Sequence, residues 1–236
     1  MVSTDWLTAG LETASMSADF TRWIYEEIRP FVKGDILEVG SGMGTYSEMF
    51  YRDFSGRLFL TDINPSYLAQ LRNKFRNDRV AVRNLDLDSQ EGFEALGDEK
   101  FDTIVCVNVL EHIRHDVLSL RSLKRLLRTD GVLILLVPAH RFLYNTIDRA
   151  IGHYRRYTRS ELALKLNSAG FVVRQIFYYN MFGILGWYVS GSLRRPAVDR
   201  RAFSHFNRLV PVFRRIERLV RSRPTGISII AICSRA

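Results

Sequence analysis

The stretch DILEVGSGMGTYSEMF, residues 35–50, changes its hydrophobic pattern at its centre. Residues 35–39 are mostly apolar, as in a buried strand, whereas residues 45–54 have the pattern of a helix. Between them lie Gly40, Gly42 and Gly44, and glycine tolerates positive φ and lets a ligand approach the backbone closely. A bare G-x-G-x-G pattern is equally compatible with a tight turn that binds nothing.

Strand-like and helical patterns alternate along the rest of the chain. Strands are predicted at 57–62, 79–85, 101–109, 131–138, 171–179 and 226–234. Helices are predicted at 17–31, 65–76, 116–128 and 158–170. Several strands are apolar on consecutive residues, which is typical of burial on both faces. The pattern predicts an α/β fold with a doubly wound, mostly parallel sheet.

Polar side chains follow the first four predicted strands. Glu38 stands two residues before the first glycine, and Asp62, Asp86 and Asn108 close the next three strands. In open parallel sheets, ligands bind beyond the carboxyl ends of the strands, so these side chains should converge. Carboxylates there could accept hydrogen bonds from a ribose diol and an adenine amine, and could face a cationic centre. S-adenosylmethionine (SAM) has all three features.

Five motifs carry a resemblance to a known family: DILEVGSGMG (35–44), LTDINP (60–65), NLDLDS (84–89), FDTIVCVNVLEHI (101–113) and LLRTDGVLILLVP (126–138). With them the chain resembles the class I SAM-dependent methyltransferases over about residues 35–171. The resemblance implies a seven-stranded sheet whose last strand is antiparallel. A Rossmann dehydrogenase is the rival for this fold, but its G-x-G-x-x-G pattern lacks the third glycine here.

The resemblance also implies a set of cofactor-binding residues. They are Glu38, Gly40, Ser41, Gly42, Gly44, Asp62, Ile63, Asp86, Leu87 and Asn108. The glycine turn would lie under the methionine moiety, Asp62 would bind the ribose hydroxyls, and Ile63 would pack on adenine. Asp86 would cap the adenine amine. Two alternatives stay open: Asp62 as a polar strand end, and Asp86 as a helix N-cap. No metal site is predicted.

The segment 139–160, AHRFLYNTIDRAIGHYRRYTRS, would lie over the transferred methyl group in this family. Its predicted catalytic residues are His153, Arg155, Arg156 and Tyr157. His153 is the candidate general base, because imidazole titrates near neutral pH. The two arginines could clamp a phosphate or carboxylate. Alternatively, His153 fixes the loop through a backbone hydrogen bond, and the arginines pair with Asp148 or Glu161 as scaffold.

The net charge of +9 is concentrated in one segment. Residues 191–223 contain ten arginines and only two acids, Asp199 and Glu217, so this segment carries +8 (10 − 2). Its apolar residues recur at helical spacing, with Pro211 predicting two short helices or a kink. Leu209, Phe213, Ile216 and Val220 form the predicted apolar stripe. A basic amphipathic stretch of this kind favours an anionic membrane surface or a lid over an anionic substrate, and a lid or dimer contact is the alternative.

These patterns predict three regions: a helical cap (1–34), a SAM-binding core (35–180 with 226–236) and a basic helical insert (181–225). The predicted activity is SAM-dependent methyl transfer to a small-molecule or lipid-linked acceptor, including an anionic one. An RNA or protein methyltransferase and a non-enzymatic SAM-binding subunit are the alternatives. Nucleic acid is the weaker partner, because no recognised nucleic-acid module is present. The N-terminus lacks a signal-peptide pattern, so a cytoplasmic location with membrane contact through 181–223 is expected.

Overall fold

The computed structural model describes residues 18–192, 200–220 and 223–235. For residues 189–192 and 200–207 it describes the backbone alone. Residues 1–17 of the predicted cap and Arg194, Arg195 and Arg221 of the basic segment therefore lie outside the described residues.

The described strands form one seven-stranded sheet with the order β3-β2-β1-β4-β5-β7-β6. The strands are β1 (Ile36–Val39), β2 (Leu58–Asp62), β3 (Val80–Asn84), β4 (Phe101–Val107), β5 (Leu127–Pro138), β6 (Phe171–Tyr179) and β7 (Ser228–Arg235). Strand β7 runs antiparallel to both of its neighbours, β5 and β6, and the pairs among β1 to β5 are parallel. This confirms the mostly parallel sheet with an antiparallel last strand.

Helices cover both faces of the sheet. They are α1 (Ala18–Ile28), α2 (Thr45–Asp53), α3 (Pro65–Lys74), α4 (Gln90–Glu94), α5 (Asp116–Leu126), α6 (Thr146–Ala150), α7 (Arg159–Ser168), α8 (Gly183–Ser192) and α9 (Arg200–Leu219). Short 3-10 turns occur at Arg29–Phe31, Leu110–His112 and Arg141–Leu143. No helix among the described residues combines the length and the apolar character needed to cross a bilayer.

Local sequence signals explain several helix starts. Asn64 caps α3 by accepting a hydrogen bond from the Ser66 amide, and Pro65 occupies the first helical position. Thr158 accepts from the Glu161 amide at the start of α7, as a capping box requires. The reciprocal Glu161 bond is absent from the described contacts of this cap, because that carboxylate binds Arg141.

Two layers of core flank the sheet, because neighbouring residues of a strand point to opposite faces. In β1, Ile36 lies in the layer that contains α1 and α2, whereas Leu37 lies in the layer that contains α5 and α7. Trp23 of α1 is 1% exposed and packs on Tyr179, with ring centroids 4.6 Å apart. Because β1, β2, β4 and β5 run parallel and are covered on both faces, their carboxyl ends lie along one open rim.

Two predicted boundaries differ from the structure. The predicted 116–128 helix ends at Leu126, and β5 begins at Leu127, which pairs with Phe101 before a register shift. Of the two arrangements predicted at Pro211, two short helices are wrong, since α9 runs through Pro211 from Arg200 to Leu219, and a kink stays a prediction. Contacts with α1 stabilise this helix: Val210 is 2% exposed, and Arg214 pairs with Glu26.

Candidate functional site

The glycine turn between β1 and α2 occupies the carboxyl rim. Gly40, Gly42 and Gly44 have φ values of 71°, 53° and 80°, a region that disfavours residues with a Cβ. A Cβ on Gly40 would also collide with Val109, whereas one on Gly42 would meet nothing within 4 Å. The Gly42 backbone is therefore open on the side where a ligand would approach.

Asp62 at the end of β2 holds this turn in place. Its Oδ2 accepts a hydrogen bond from the Gly42 amide at 2.8 Å, and its Oδ1 accepts from the Asn64 amide at 2.8 Å. The carboxylate thus joins the glycine turn to the start of α3, which is more than a polar strand end would do. Beside it, Ile63 is 60% exposed, so an apolar side chain lies uncovered at the rim.

Glu38 and Ser41 support the turn from inside. The Glu38 carboxylate is buried and accepts a hydrogen bond from the Ser47 hydroxyl. Burial raises the pKa of Glu38 to about 7, and the neighbouring Asp62 charge acts in the same direction. The Ser41 amide donates to the Thr61 carbonyl at 2.8 Å, which ties the turn to β2.

The remaining predicted cofactor residues lie farther along the same rim. Asp86 Oδ1 accepts from the Asp88 amide at 2.9 Å, and Ser89 is the N-cap of α4, so the N-cap interpretation of Asp86 is wrong. Leu87 is buried, and its carbonyl accepts from the Ser119 hydroxyl at 2.7 Å. Asn108 is exposed with a φ of 53°, a strained conformation that often marks a functional position.

The chemical groups at this rim match those of SAM. An open glycine backbone, a carboxylate fixed at the rim and an uncovered isoleucine match a ligand with a methionine moiety, a ribose diol and an adenine ring. Gly42, Asp62 and Ile63 would be the principal contacts. When bound, SAM supplies an electrophilic methyl group.

A second group of side chains lies where the 3-10 turn after β4 meets the loop before α7. His153 Nδ1 contacts Asp148 Oδ1 at 2.8 Å, and its Nε2 lies 3.7 Å from Glu111 Oε1. Asp148 is fully buried and also binds Arg156 Nε and the Asn145 amide. Burial opposes ionisation of Asp148, but the contacts with His153 and Arg156 outweigh it and lower the pKa of this carboxyl.

Glu111 and His112 are functional candidates that the sequence prediction missed. Glu111 is 0% exposed, and both of its carboxylate oxygens lack a hydrogen-bond partner among the described residues. Burial raises the pKa of Glu111 to about 7, an effect that the nearby His153 reduces. Burial, reinforced by His153, lowers the pKa of His112 to about 4. An acidic residue inside the apolar motif VNVLEHI was the available signal.

The structure changes the roles that the predicted catalytic residues can have. Arg156 is 2% exposed and bound to Asp148, and Tyr157 is 0% exposed with its hydroxyl 3.0 Å from Asp116 Oδ2. Neither side chain is available to an acceptor, so the scaffold interpretation holds for Arg156, and Tyr157 is a core residue. His153 has 8% side-chain exposure and faces Glu111, so its geometry does not support a general base. Arg155 is one-quarter exposed and pairs with Asp116, a partner that was not predicted.

A cavity of about 470 Å³ lies between the segment 141–157 and α7. It is lined by Arg141, Tyr144, Tyr154, Arg155, Arg156, Glu161 and Lys165. Four of these side chains are basic and one is acidic, and Asp116 behind the wall pairs with both Arg155 and Lys165. Arg141 is the most accessible cation, with 72% side-chain exposure and one pairing to Glu161 at 2.7 Å.

Glu111, His112 and His153 connect the glycine turn to the cavity. Val109, which blocks any side chain at Gly40, directly precedes the 3-10 turn that contains Glu111 and His112. On the other side, the Tyr154 amide donates to the Glu111 carbonyl at 2.9 Å, and the Tyr144 hydroxyl donates to the His153 carbonyl at 2.8 Å. Both tyrosines line the cavity.

Comparisons with known proteins agree with this geometry. Among solved structures, the methyltransferase bound to the Trm112 methyltransferase activator of Haloferax volcanii has a TM-score of 0.68 at 14% identity, covering 100% of this chain and 98% of that one. A SAM-dependent methyltransferase of Mesorhizobium loti has a TM-score of 0.63 at 12% identity, covering 90% and 98%. At these identities the likeness shows the fold alone.

Curated relatives match over about half of the chain. A reducing polyketide synthase of Preussia isomera, Preu2, is 33% identical over 132 residues, which is 53% of this chain and 6% of that protein. The chain thus spans only a small part of this relative's length. A family model described as a methyltransferase domain matches residues 17–176, more than half of the chain. The chain therefore belongs to the methyltransferase domain family.

Proposed function

We propose that the protein transfers the methyl group of SAM to an anionic acceptor, either a small molecule or a lipid-linked one. The cavity beside Glu111 and His153 carries this proposal, because the accessible cations Arg141, Arg155 and Lys165 line it and Glu161 is the one acid of its lining. Guanidinium groups suit phosphate and carboxylate because they offer several N–H donors in a fixed plane. One guanidinium nitrogen of Arg155 pairs with Asp116 and another donates to the Arg114 carbonyl, so further N–H donors remain for a ligand.

The position of the cavity suits methyl transfer. The acceptor must be held in line with the methyl group, and this positioning can supply a large part of the rate enhancement. The cavity adjoins the 3-10 turn whose preceding residue, Val109, packs at the glycine turn. An acceptor held by Arg141 and Arg155 would thus lie next to the cofactor rim.

Transfer of labelled methyl groups from SAM to fractionated cell extract tests the proposal. The fractions are anionic small molecules, neutral small molecules, lipids, RNA and proteins. We expect label in anionic small molecules or in anionic lipids. Label only in the neutral, RNA or protein fraction would refute an anionic small-molecule or lipid acceptor.

A polyketide-type acceptor is a second candidate. It is favoured by the match to the polyketide synthase Preu2 at 33% identity, although this chain corresponds to 6% of that protein. The same assay with a β-ketoacyl thioester separates the candidates. Label in the thioester, with none in the anionic fractions, would favour the polyketide acceptor.

We further propose that the insert contacts an anionic membrane surface, through a stripe that differs from the predicted one. Val210 and Phe213 face the core, whereas Leu209, Val212, Ile216 and Leu219 are 48%, 49%, 40% and 84% exposed. Spacings of three and four residues place the exposed four on one side of α9. An uncovered apolar stripe on an outward helix face is typical of an interaction surface.

Charge beside the stripe favours an anionic partner surface. Arg208 and Arg215 are exposed, and the described residues offer them no ion pair. In contrast, Arg214 and Arg218 pair with Glu26, and Arg223 pairs with Glu27 at 2.8 Å, so part of the positive charge binds α1. Trp187 donates to the Leu143 carbonyl at 3.1 Å, whereas Tyr188 is 59% exposed.

Vesicle co-sedimentation tests this contact. Burial of each leucine contributes about 1.5–3 kcal/mol and each surface arginine about 1 kcal/mol. The full chain should therefore bind phosphatidylglycerol vesicles at low salt, release them at high salt, and bind phosphatidylcholine weakly. The double variant Leu209→Ser, Leu219→Ser should lose binding. Leu164→Ser, 70% exposed on α7, is the matched control. Equal binding to both lipids, or equal losses in variant and control, would refute the contact.

A further inference from the structure

Glu111, His112 and His153 each offer a metal-ligand atom, and these atoms lie within 4.8 Å of one another. We propose that they bind one divalent cation of the class that prefers imidazole together with carboxylate, with Zn²⁺ as the leading candidate and Mn²⁺ or Co²⁺ as substitutes. This site was not predictable from residue spacing, because His153 is 41 residues from His112. The fold brings them together, with ring centroids 4.6 Å apart.

The first support comes from the unsatisfied Glu111 carboxylate. The side chain is 0% exposed, and neither of its oxygens has a hydrogen-bond partner among the described residues. A buried carboxylate without partners is costly, so native structures pair such groups or use them to bind metal. A cation between Glu111 and His153 would satisfy the carboxylate where it now lies.

The second support is the orientation of His153. Its Nδ1 contacts the Asp148 carboxylate at 2.8 Å, which leaves Nε2 directed toward Glu111 at 3.7 Å. A histidine that binds metal through one nitrogen usually donates its other N–H to a carboxylate or a carbonyl. Asp148 is itself fixed by Arg156 and by the Asn145 amide.

The third support is the charge of the site. Glu111 and Asp148 bring two carboxylates into the buried region, and Arg156 brings one guanidinium. One negative charge is left without compensation, and the other groups near Glu111 are His112, His153, the Tyr157 hydroxyl and the buried Cys106 thiol. Either a cation or a shared proton must neutralise it, because an uncompensated buried charge is strongly unfavourable.

Three protein ligands leave coordination positions open for water or an acceptor oxygen, as in catalytic rather than structural zinc sites. The site lies between the glycine turn and the cavity, so a bound cation could hold an acceptor hydroxyl and lower the pKa of that hydroxyl. This catalytic use rests on the proposed function, whereas cation binding does not.

Calorimetric titration of the untagged full chain, stripped with EDTA and without acceptor, tests cation binding. We expect about one Zn²⁺ per chain, with affinity at least about 10-fold weaker in Glu111→Gln and in His153→Asn. Asp148→Asn should weaken binding about 10–100-fold, because it disturbs the orientation of His153. His115→Asn, an exposed histidine of the neighbouring loop, is the matched control and should bind like the wild type.

A second measurement keeps the proposal testable if the variants do not fold. Wild-type protein loaded with Co²⁺ should show visible absorption bands that EDTA abolishes. Wild-type protein that takes up neither Zn²⁺, Mn²⁺ nor Co²⁺ would overturn the proposal, as would folded variants that bind as tightly as the control. In that event a proton shared by Glu111 and His153 neutralises the site. Because no acceptor is used, this failure would leave the proposed function untouched.

Discussion

Single side chains at the carboxyl rim hold the fold together, and the same side chains are proposed to bind the ligand. The Asp62 carboxylate accepts two backbone amides and is 9% exposed, so it holds the glycine turn while keeping a face toward solvent. Each oxygen retains a lone pair for a further donor. Glu38 lies behind it and is buried, so it stabilises the turn from within.

Asp62→Ala should weaken SAM binding roughly 10- to 100-fold. The expected loss is about 1.5–3 kcal/mol, because a charged acceptor for the ribose hydroxyls disappears and the Gly42 amide loses its partner. Calorimetry with SAM measures this. Asp98→Ala, an exposed acid away from the rim, is the control. Unchanged affinity in Asp62→Ala would remove this residue from the site.

Glu38 should make stability depend on pH. Its folded pKa of about 7 exceeds its ordinary 4.5, so its stabilising contribution is complete below pH 4.5 and is lost as pH rises through 7. The difference corresponds to something on the order of 3 kcal/mol. Denaturant unfolding from pH 4.5 to 8 should show Glu38→Gln losing less stability than the wild type. Glu91→Gln, exposed on α4, should behave like the wild type. Parallel curves for all three proteins would contradict the raised pKa.

The geometry of the glycine turn was easier to predict from the sequence than the side-chain contacts of the segment 139–160, for a physical reason. Gly42 and Asp62 act through neighbouring strand ends, whose placement follows from the alternation of strands and helices. The roles of Arg156 and Tyr157 depend on side-chain contacts made in the folded chain. Tyr157 binds Asp116, which is 41 residues away, and such a contact leaves no periodic signal. The charged and aromatic residues of this loop therefore suggested an exposed catalytic segment, although the side chains of Arg156 and Tyr157 are buried.

At the scale of elements, helix α9 shows how tertiary contacts override a local signal. Pro211 removes a backbone donor and clashes with the preceding turn, so an isolated helix would break there. The helix nevertheless runs from Arg200 to Leu219, with Val210 buried and Glu217 accepting the Asn180 and Met181 amides. These contacts connect the insert to the end of β6 and offset the proline.

Pro211→Ala should therefore raise the free energy of unfolding, by about 2 kcal/mol. Proline costs about 3 kcal/mol relative to alanine inside a helix, and its restriction of the unfolded chain offsets a part of this. Denaturant titration measures the change. Pro65→Ala is the matched control, because Pro65 occupies the first turn of α3, where proline is tolerated. Equal effects at both positions would argue against a continuous helix through Pro211.

In the whole molecule, the residues proposed to bind ligands lie at the carboxyl ends of the strands, which is where open parallel sheets generally bind ligands. The glycine turn follows β1, Asp62 ends β2, the Glu111–His112 turn follows β4, and the cavity segment follows β5. The proposed cofactor and acceptor sites thus share one rim, with Glu111, His112 and His153 between them. The insert between β6 and β7 adds an exposed apolar stripe and exposed arginines outside this core.

The variant Arg141→Gln tests whether the basic cavity binds an anionic acceptor. Arg141 is 72% exposed, so its replacement should leave the fold intact. With the labelled acceptor fraction as substrate, we expect Arg141→Gln to raise the KM for the acceptor about 10-fold and to leave the affinity for SAM unchanged. Arg121→Gln, an exposed arginine of α5 outside the cavity, should leave both constants unchanged. An acceptor KM equal in wild type, Arg141→Gln and Arg121→Gln would contradict the account.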